Sequence, residues 1–260
     1  MSDLSGLHIL ITRPREQALR WQNLLRSLGA ETLSIPVLEI IPVSEIEQEQ
    51  AIKNNIQELD QFQHLIFVSQ NAVNYGMTWV EHYWPQLPVG QNYYAIGSST
   101  ASSLQNLGLK VEANTQAMDS EALLQLPQLQ SVDGSKVLIF RGVGGRTKIA
   151  EVLEQRGAEV RYCELYERAL PDNLDEQLMS FQQRHLESRW VVSVHSGESL
   201  ENLLVAVKNI QFSTLFQSAI LVPSIRVAEI AKNSGFSKVI VARNASDDAM
   251  TEALMKWRQS

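Results

Sequence analysis

Apolar and polar positions follow two alternating rhythms along the chain. Short runs of adjacent apolar residues recur: Leu7-His8-Ile9-Leu10-Ile11, Leu65-Ile66-Phe67-Val68, Tyr94-Ala95-Ile96, Val137-Leu138-Ile139-Phe140, Trp190-Val191-Val192 and Ala219-Ile220-Leu221-Val222. Such runs predict strands covered on both faces, as in a parallel sheet. Between them apolar residues return at helical spacing, for example Ala18, Trp21, Leu24, Leu25 and Leu28, or Ile149, Val152 and Leu153. Gly29 and Gly157 stand where a glycine ends a helix.

The pattern repeats within the chain. Leu7 to Arg13, a helix and Gly29-Ala30-Glu31 match Lys136 to Arg141, a helix and Gly157-Ala158-Glu159. Leu65 to Val73 matches Trp190 to Leu200, and Tyr94 to Ala101 matches Ala219 to Arg226. Each copy then predicts a helix closed by Gly108 or Gly235, a strand at Val111 or Val239, and a capped helix at Asp119-Ser120 or Ser246-Asp247. Two doubly wound α/β units follow. Ile35 to Pro42 and Cys163 to Pro171 break the alternation; both carry proline and read as two antiparallel linker strands.

Composition narrows the class. The chain has 260 residues, 44% apolar and 20% charged, with a net charge of -7. Two domains of ordinary size are expected. The charge argues against nucleic acid, which needs a basic face. The single cysteine, Cys163, excludes an internal disulfide and reads as a small buried hydrophobe rather than a catalytic thiol. No leader pattern or membrane-length apolar run is seen, so a cytoplasmic location is the default expectation.

Ligands of open parallel sheets bind beyond the carboxyl ends of the strands. The candidates there are Arg13, Ser69, Asn71, Gly97 to Thr100, Arg141, Gly142 to Arg146, Ser196, Gly197, Ser224 and Arg226. Hydroxyls, glycines and guanidinium groups at helix starts make cradles for carboxylates or phosphates. Gly142-Val143-Gly144-Gly145-Arg146-Thr147 lacks the spacing and lysine of a phosphate loop. The five histidines are scattered, so no metal site is expected, and His195 at a strand end reads as packing.

Taken in order, Ile11-Thr12-Arg13-Pro14, Phe67 to Val73, Ile96 to Ala101, Ser120 to Leu124, Arg141 to Arg146, Tyr166-Glu167-Arg168, Ser196-Gly197-Glu198 and Pro223 to Arg226 resemble bacterial uroporphyrinogen-III synthases over nearly the whole chain. The resemblance implies two flavodoxin-like doubly wound domains joined by a two-stranded β-ladder. Residues 1–36 and 172–260 would form one, discontinuous domain and 42–166 the other, with linkers at 37–41 and 167–171. The copies of the repeat would be exchanged between domains.

The implied substrate is hydroxymethylbilane, a linear tetrapyrrole with eight carboxylates. Its terminal hydroxyl would leave as water, giving an azafulvene. The far ring would attack through its substituted carbon, and the spiro-pyrrolenine so formed would fragment and reclose with that ring inverted. The pyrrole supplies the electrons, so no metal or cofactor is implied. Without the enzyme the bilane closes to the uninverted isomer, so the protein must hold it folded.

The carried-over substrate-binding residues are Arg13, Ser69, Asn71, Gly97, Ser98, Thr100, Arg141, Gly142, Arg146, Ser196, Gly197, Ser224 and Arg226. Tyr166 matches the tyrosine proposed to help the hydroxyl leave; capping the interdomain cleft is its other reading. Val227 stands where some relatives carry threonine. A monomer is implied, with the upstream hydroxymethylbilane synthase as a possible partner. A two-domain protein closing on an anionic ligand without chemistry, or a flavin carrier, are the alternatives.

Overall fold

The computed structural model describes residues 4–112, 119–185 and 190–259. The chain divides into two compact units, Met1–Glu39 with Ala169–Ser260, and Ile40–Arg168. Unit 1 opens with β1 (His8–Ile11), α1 (Arg15–Ser27) and β2 (Glu31–Ser34). β3 (Glu39–Pro42) leads into unit 2, where α2 (Ile46–Gln57), β4 (His64–Phe67), α3 (Gln70–Tyr83), β5 (Asn92–Ala95), α4 (Ser98–Asn106) and β6 (Val111–Glu112) follow. The short helices α5 (Ser120–Leu123) and α6 (Pro127–Gln130) precede β7 (Lys136–Gly142), α7 (Lys148–Gln155) and β8 (Glu159–Ala169). The chain then completes unit 1 with α8 (Leu174–Arg184), β9 (Trp190–Ser193), α9 (Gly197–Asn209), β10 (Ala219–Val222), α10 (Ile225–Asn233), β11 (Lys238–Val241) and α11 (Asp247–Gln259).

The sheet of unit 1 runs β11-β10-β9-β1-β2, and that of unit 2 runs β3-β8-β7-β4-β5-β6. In unit 1 His8 pairs with Glu31 on one side and Trp190 on the other, all parallel. Counted by connection, unit 1 has the doubly wound order 2-1-3-4-5. Unit 2 has the same order once β7 and β8 take the places of β1 and β2, although they follow β4 to β6 in sequence.

Alternate residues of a strand face opposite sides of the sheet, so a strand covered twice is apolar throughout. Ile9 and Ile11 pack with Trp21, Leu25, Met250 and Leu254, while Leu10 packs with Val192, Leu178 and Leu203. In unit 2 Leu65, Phe67, Leu138 and Phe140 share one core, and Ile66, Val137 and Ile139 the other. Phe67 and Phe140 stack at 4.3 Å. Each buried side chain of this size contributes about 1.5–3 kcal/mol. Trp21 is fully buried, and its indole N–H donates to Thr251 Oγ1 at 2.9 Å.

Both extended segments lie in strands: Ile35 to Pro42 runs into β3, and Cys163 to Pro171 lies largely in β8. β8 pairs with β7 from Glu159 to Tyr166, and β3 is its neighbour on the other side, at the edge of the unit 2 sheet. No helix among the described residues is long and apolar enough to cross a membrane.

Candidate active site

In each sheet the connections turn in opposite directions where two neighbouring strands meet: β7 and β4 in unit 2, β1 and β9 in unit 1. The carboxyl ends of these pairs are the natural ligand sites.

In unit 2, Ser69 follows β4 and caps α3, its Oγ accepting from the Ala72 N–H at 3.0 Å. The same Oγ lies 2.9 Å from the Tyr166 hydroxyl. Tyr166 reaches this point because the β7–β8 register slips: Arg141 faces Glu164, but Gly142 faces Tyr166. The bulge leaves Leu165 unopposed and brings the tyrosine onto the glycine. A Cβ on Gly142 would lie 2.5 Å from the Tyr166 ring, so only glycine fits. Tyr75 stacks on the same ring at 5.7 Å. Tyr166 is thereby 3% exposed, with its ring clamped and its hydroxyl partnered.

Arg141 is also buried. Its Nε donates to Gly142 O at 3.0 Å and Nη1 to Arg146 O at 3.4 Å. Glu164 lies 3.6 Å away, and the guanidinium sits 4.5 Å over the Tyr162 ring. The glycine-rich loop winds around this cation. Gly144 and Gly145 take positive φ, and a Cβ on Gly145 would meet Arg141 Nη2 at 2.7 Å. Arg141 therefore scaffolds the loop, whereas Arg146 is exposed.

Beside these residues lies a cavity of about 550 Å³. Val68, Ile96, Ile139 and Ile149 supply apolar wall, and Arg141, Arg146, Lys148 and Arg168 supply positive charge. Tyr162, Tyr166 and Gly142 also line it. The other expected residues of this unit stand on neighbouring strand ends outside the lining. Asn71 is in the first turn of α3, Gly97 precedes α4 with φ 89°, Ser98 is exposed and Thr100 is buried.

In unit 1, Ser196 and Ser224 cap α9 and α10, accepting from Ser199 N at 3.0 Å and Val227 N at 3.4 Å. The Arg226 guanidinium comes within 3.4 Å of where a Gly197 Cβ would be. Arg13 is ion-paired to Asp247 at 2.9 Å. An open groove of about 810 Å³ is lined by Ser224, Arg226, Arg243 and Lys256, with Glu252 paired to the last two. Both ring nitrogens of His195 are buried without a partner among the described residues. Burial, with the Arg13 charge adding to it, pulls its imidazole down to about 3, so it is neutral.

The sequence reading missed Lys148, Arg168, Tyr162, Arg243 and Lys256. Lys148 directly follows the glycine-rich motif and Arg168 lies within the Tyr166-Glu167-Arg168 motif, so a weight on cations near strand ends would have found them. No group of three or more histidine, cysteine or carboxylate side chains that could hold a metal occurs among the described residues.

The sequence model described as "Uroporphyrinogen-III synthase HemD" matches residues 20–252. The uroporphyrinogen-III synthase of Escherichia coli (strain K12) is 35% identical over 254 residues, 95% of this chain and 100% of that protein. The chain belongs to the uroporphyrinogen-III synthase family. The Salmonella typhimurium (strain LT2) uroporphyrinogen-III synthase is 33% identical over 95% of this chain and 100% of its own length.

Solved structures of family members share the fold. A mutant uroporphyrinogen III synthase from the extremely thermophilic bacterium Thermus thermophilus superposes with a TM-score of 0.59 at 15% identity, covering 97% of this chain and 98% of that one. The Helicobacter pylori 26695 uroporphyrinogen-III synthetase gives 0.58 at 16% identity, covering 97% and 100%.

Proposed function

We propose that the chain is a cytoplasmic uroporphyrinogen-III synthase that cyclises hydroxymethylbilane with loss of water and inversion of the terminal ring, a lyase reaction. The observation that carries this reading is the unit 2 cavity, where apolar walls and four cations surround a clamped tyrosine. Pyrrole rings need apolar walls, and their acetate and propionate groups need cations. A charge-assisted hydrogen bond contributes about 1.5–3 kcal/mol, so a few of them hold a flexible bilane in one fold. Arg146, Lys148 and Arg168 are the proposed carboxylate partners here. Arg226, with the capped starts of α9 and α10, is proposed to take others.

Tyr166 is the proposed proton donor. Its proton would pass to the departing hydroxyl, which leaves as water while the pyrrole nitrogen pushes electrons into the azafulvene. The remaining steps need little beyond holding, because the bilane is reactive enough to close unaided.

The test is product analysis. Hydroxymethylbilane incubated with the purified chain and oxidised to porphyrins is expected to give mainly the type III isomer. An isomer ratio equal to that of bilane in buffer alone would overturn the proposal and leave a binding protein.

A further inference from the structure

We propose that Ser69 is a positioning residue for this reaction: its hydroxyl, fixed as the cap of α3, donates to Tyr166 Oη and turns the phenol's own proton toward the cavity. The proposal rests on Tyr166 being the proton donor.

Ser69 Oγ is held in place by the Ala72 N–H at 3.0 Å and lies 2.9 Å from Tyr166 Oη. A hydroxyl has one proton and two lone pairs. The amino end of the 14-residue helix α3 carries partial positive charge and outward-pointing N–H groups. That field draws the Ser69 lone pairs toward the helix and pushes its proton away, onto Tyr166 Oη. The tyrosine oxygen then accepts from Ser69, and its own O–H is free to rotate. Gly142 under the ring and Tyr75 stacked on it fix where that O–H can point, and Tyr166 lines the cavity.

The proton count closes. Tyr166 gives its proton to the leaving hydroxyl as the C–O bond breaks, forming water. The proton released when the closing ring regains aromaticity returns to the tyrosine oxygen, which Ser69 O–H has meanwhile stabilised.

The experiment is a double-mutant cycle on the full chain with hydroxymethylbilane, measuring kcat and KM for Ser69→Ala, Ser69→Thr, Tyr166→Phe and the Ser69→Ala/Tyr166→Phe double variant. Ser69→Ala is expected to lower kcat about tenfold with KM nearly unchanged, the mark of a contribution made in the transition state. Ser69→Thr restores it. The double variant is expected to be no slower than Tyr166→Phe alone, because the serine acts only through the tyrosine. Ser69→Gly keeps most of the capping preference without the hydroxyl, so it separates the two roles if the alanine variant folds poorly. Multiplying losses in the double variant, or a rise in KM alone, would overturn the proposal and make Ser69 a substrate ligand. Absence of type III product from the unaltered chain would instead count against the functional reading.

Discussion

At the residue scale, the site is held by contacts that leave little slack. The Tyr166 hydroxyl has a partner in Ser69. Tyr166→Phe is therefore expected to cost about 1 kcal/mol of stability as well as slowing turnover about ten- to a hundredfold. Thermal unfolding beside steady-state kinetics checks both. The two arginines of the glycine-rich loop should part company. Arg141 is buried among backbone carbonyls and Glu164, so Arg141→Ala is expected to lose about 1.5–3 kcal/mol of stability. Arg146 is exposed, so Arg146→Ala should leave stability within about 0.5 kcal/mol and raise KM. Equal unfolding midpoints for the two variants would show that Arg141 does not scaffold the loop. The motif singled out both arginines and Tyr166. Their division of labour was hidden, because burial at Arg141 depends on Glu164 and Tyr162, more than 20 positions away.

At the element scale, strand ends and caps were legible and register was not. Ser69, Ser196 and Ser224 each stand after an apolar run, and each caps the next helix. The β7–β8 slip that places Tyr166 over Gly142 leaves no trace in hydrophobic periodicity. The turn after β9 has a second consequence. His195 is buried with its pKa pulled down to about 3, and burial lowers that of His64 as well. Near pH 6.5 the unfolded chain takes up a proton at His195 that the native chain does not, and His64 acts in the same direction. Stability is then full above pH 6.5 and falls as pH drops, by about 1.4 kcal/mol per pH unit for His195 down to about pH 3. Urea unfolding at pH 7.5 and pH 5 should show this fall, and His195→Leu should flatten it. An unchanged slope would mean the His195 ring is hydrated in solution.

At the scale of the whole molecule, the duplication announced two sheets of one design, and both have the 2-1-3-4-5 order. What the repeat could not assign was which sheet each copy joins. β1 and β2 complete the sheet of β9 to β11, while their counterparts β7 and β8 complete that of β4 to β6. Matching segments carry the same pattern wherever they pack, so similarity alone is silent on pairing. With no metal-holding cluster among the described residues, turnover is expected to persist in a strong chelator. Activity lost in EDTA and restored by a divalent ion would contradict this.

On the proposed function, the protein sets the product by how it holds the bilane, and Tyr166 sets only the rate. The direct measurement is the isomer composition from a single turnover of Tyr166→Phe, with enzyme in excess so that bound bilane outweighs spontaneous closure. Slow formation of the type III isomer is expected. Type I product from the bound bilane would contradict it and make Tyr166 part of what folds the substrate.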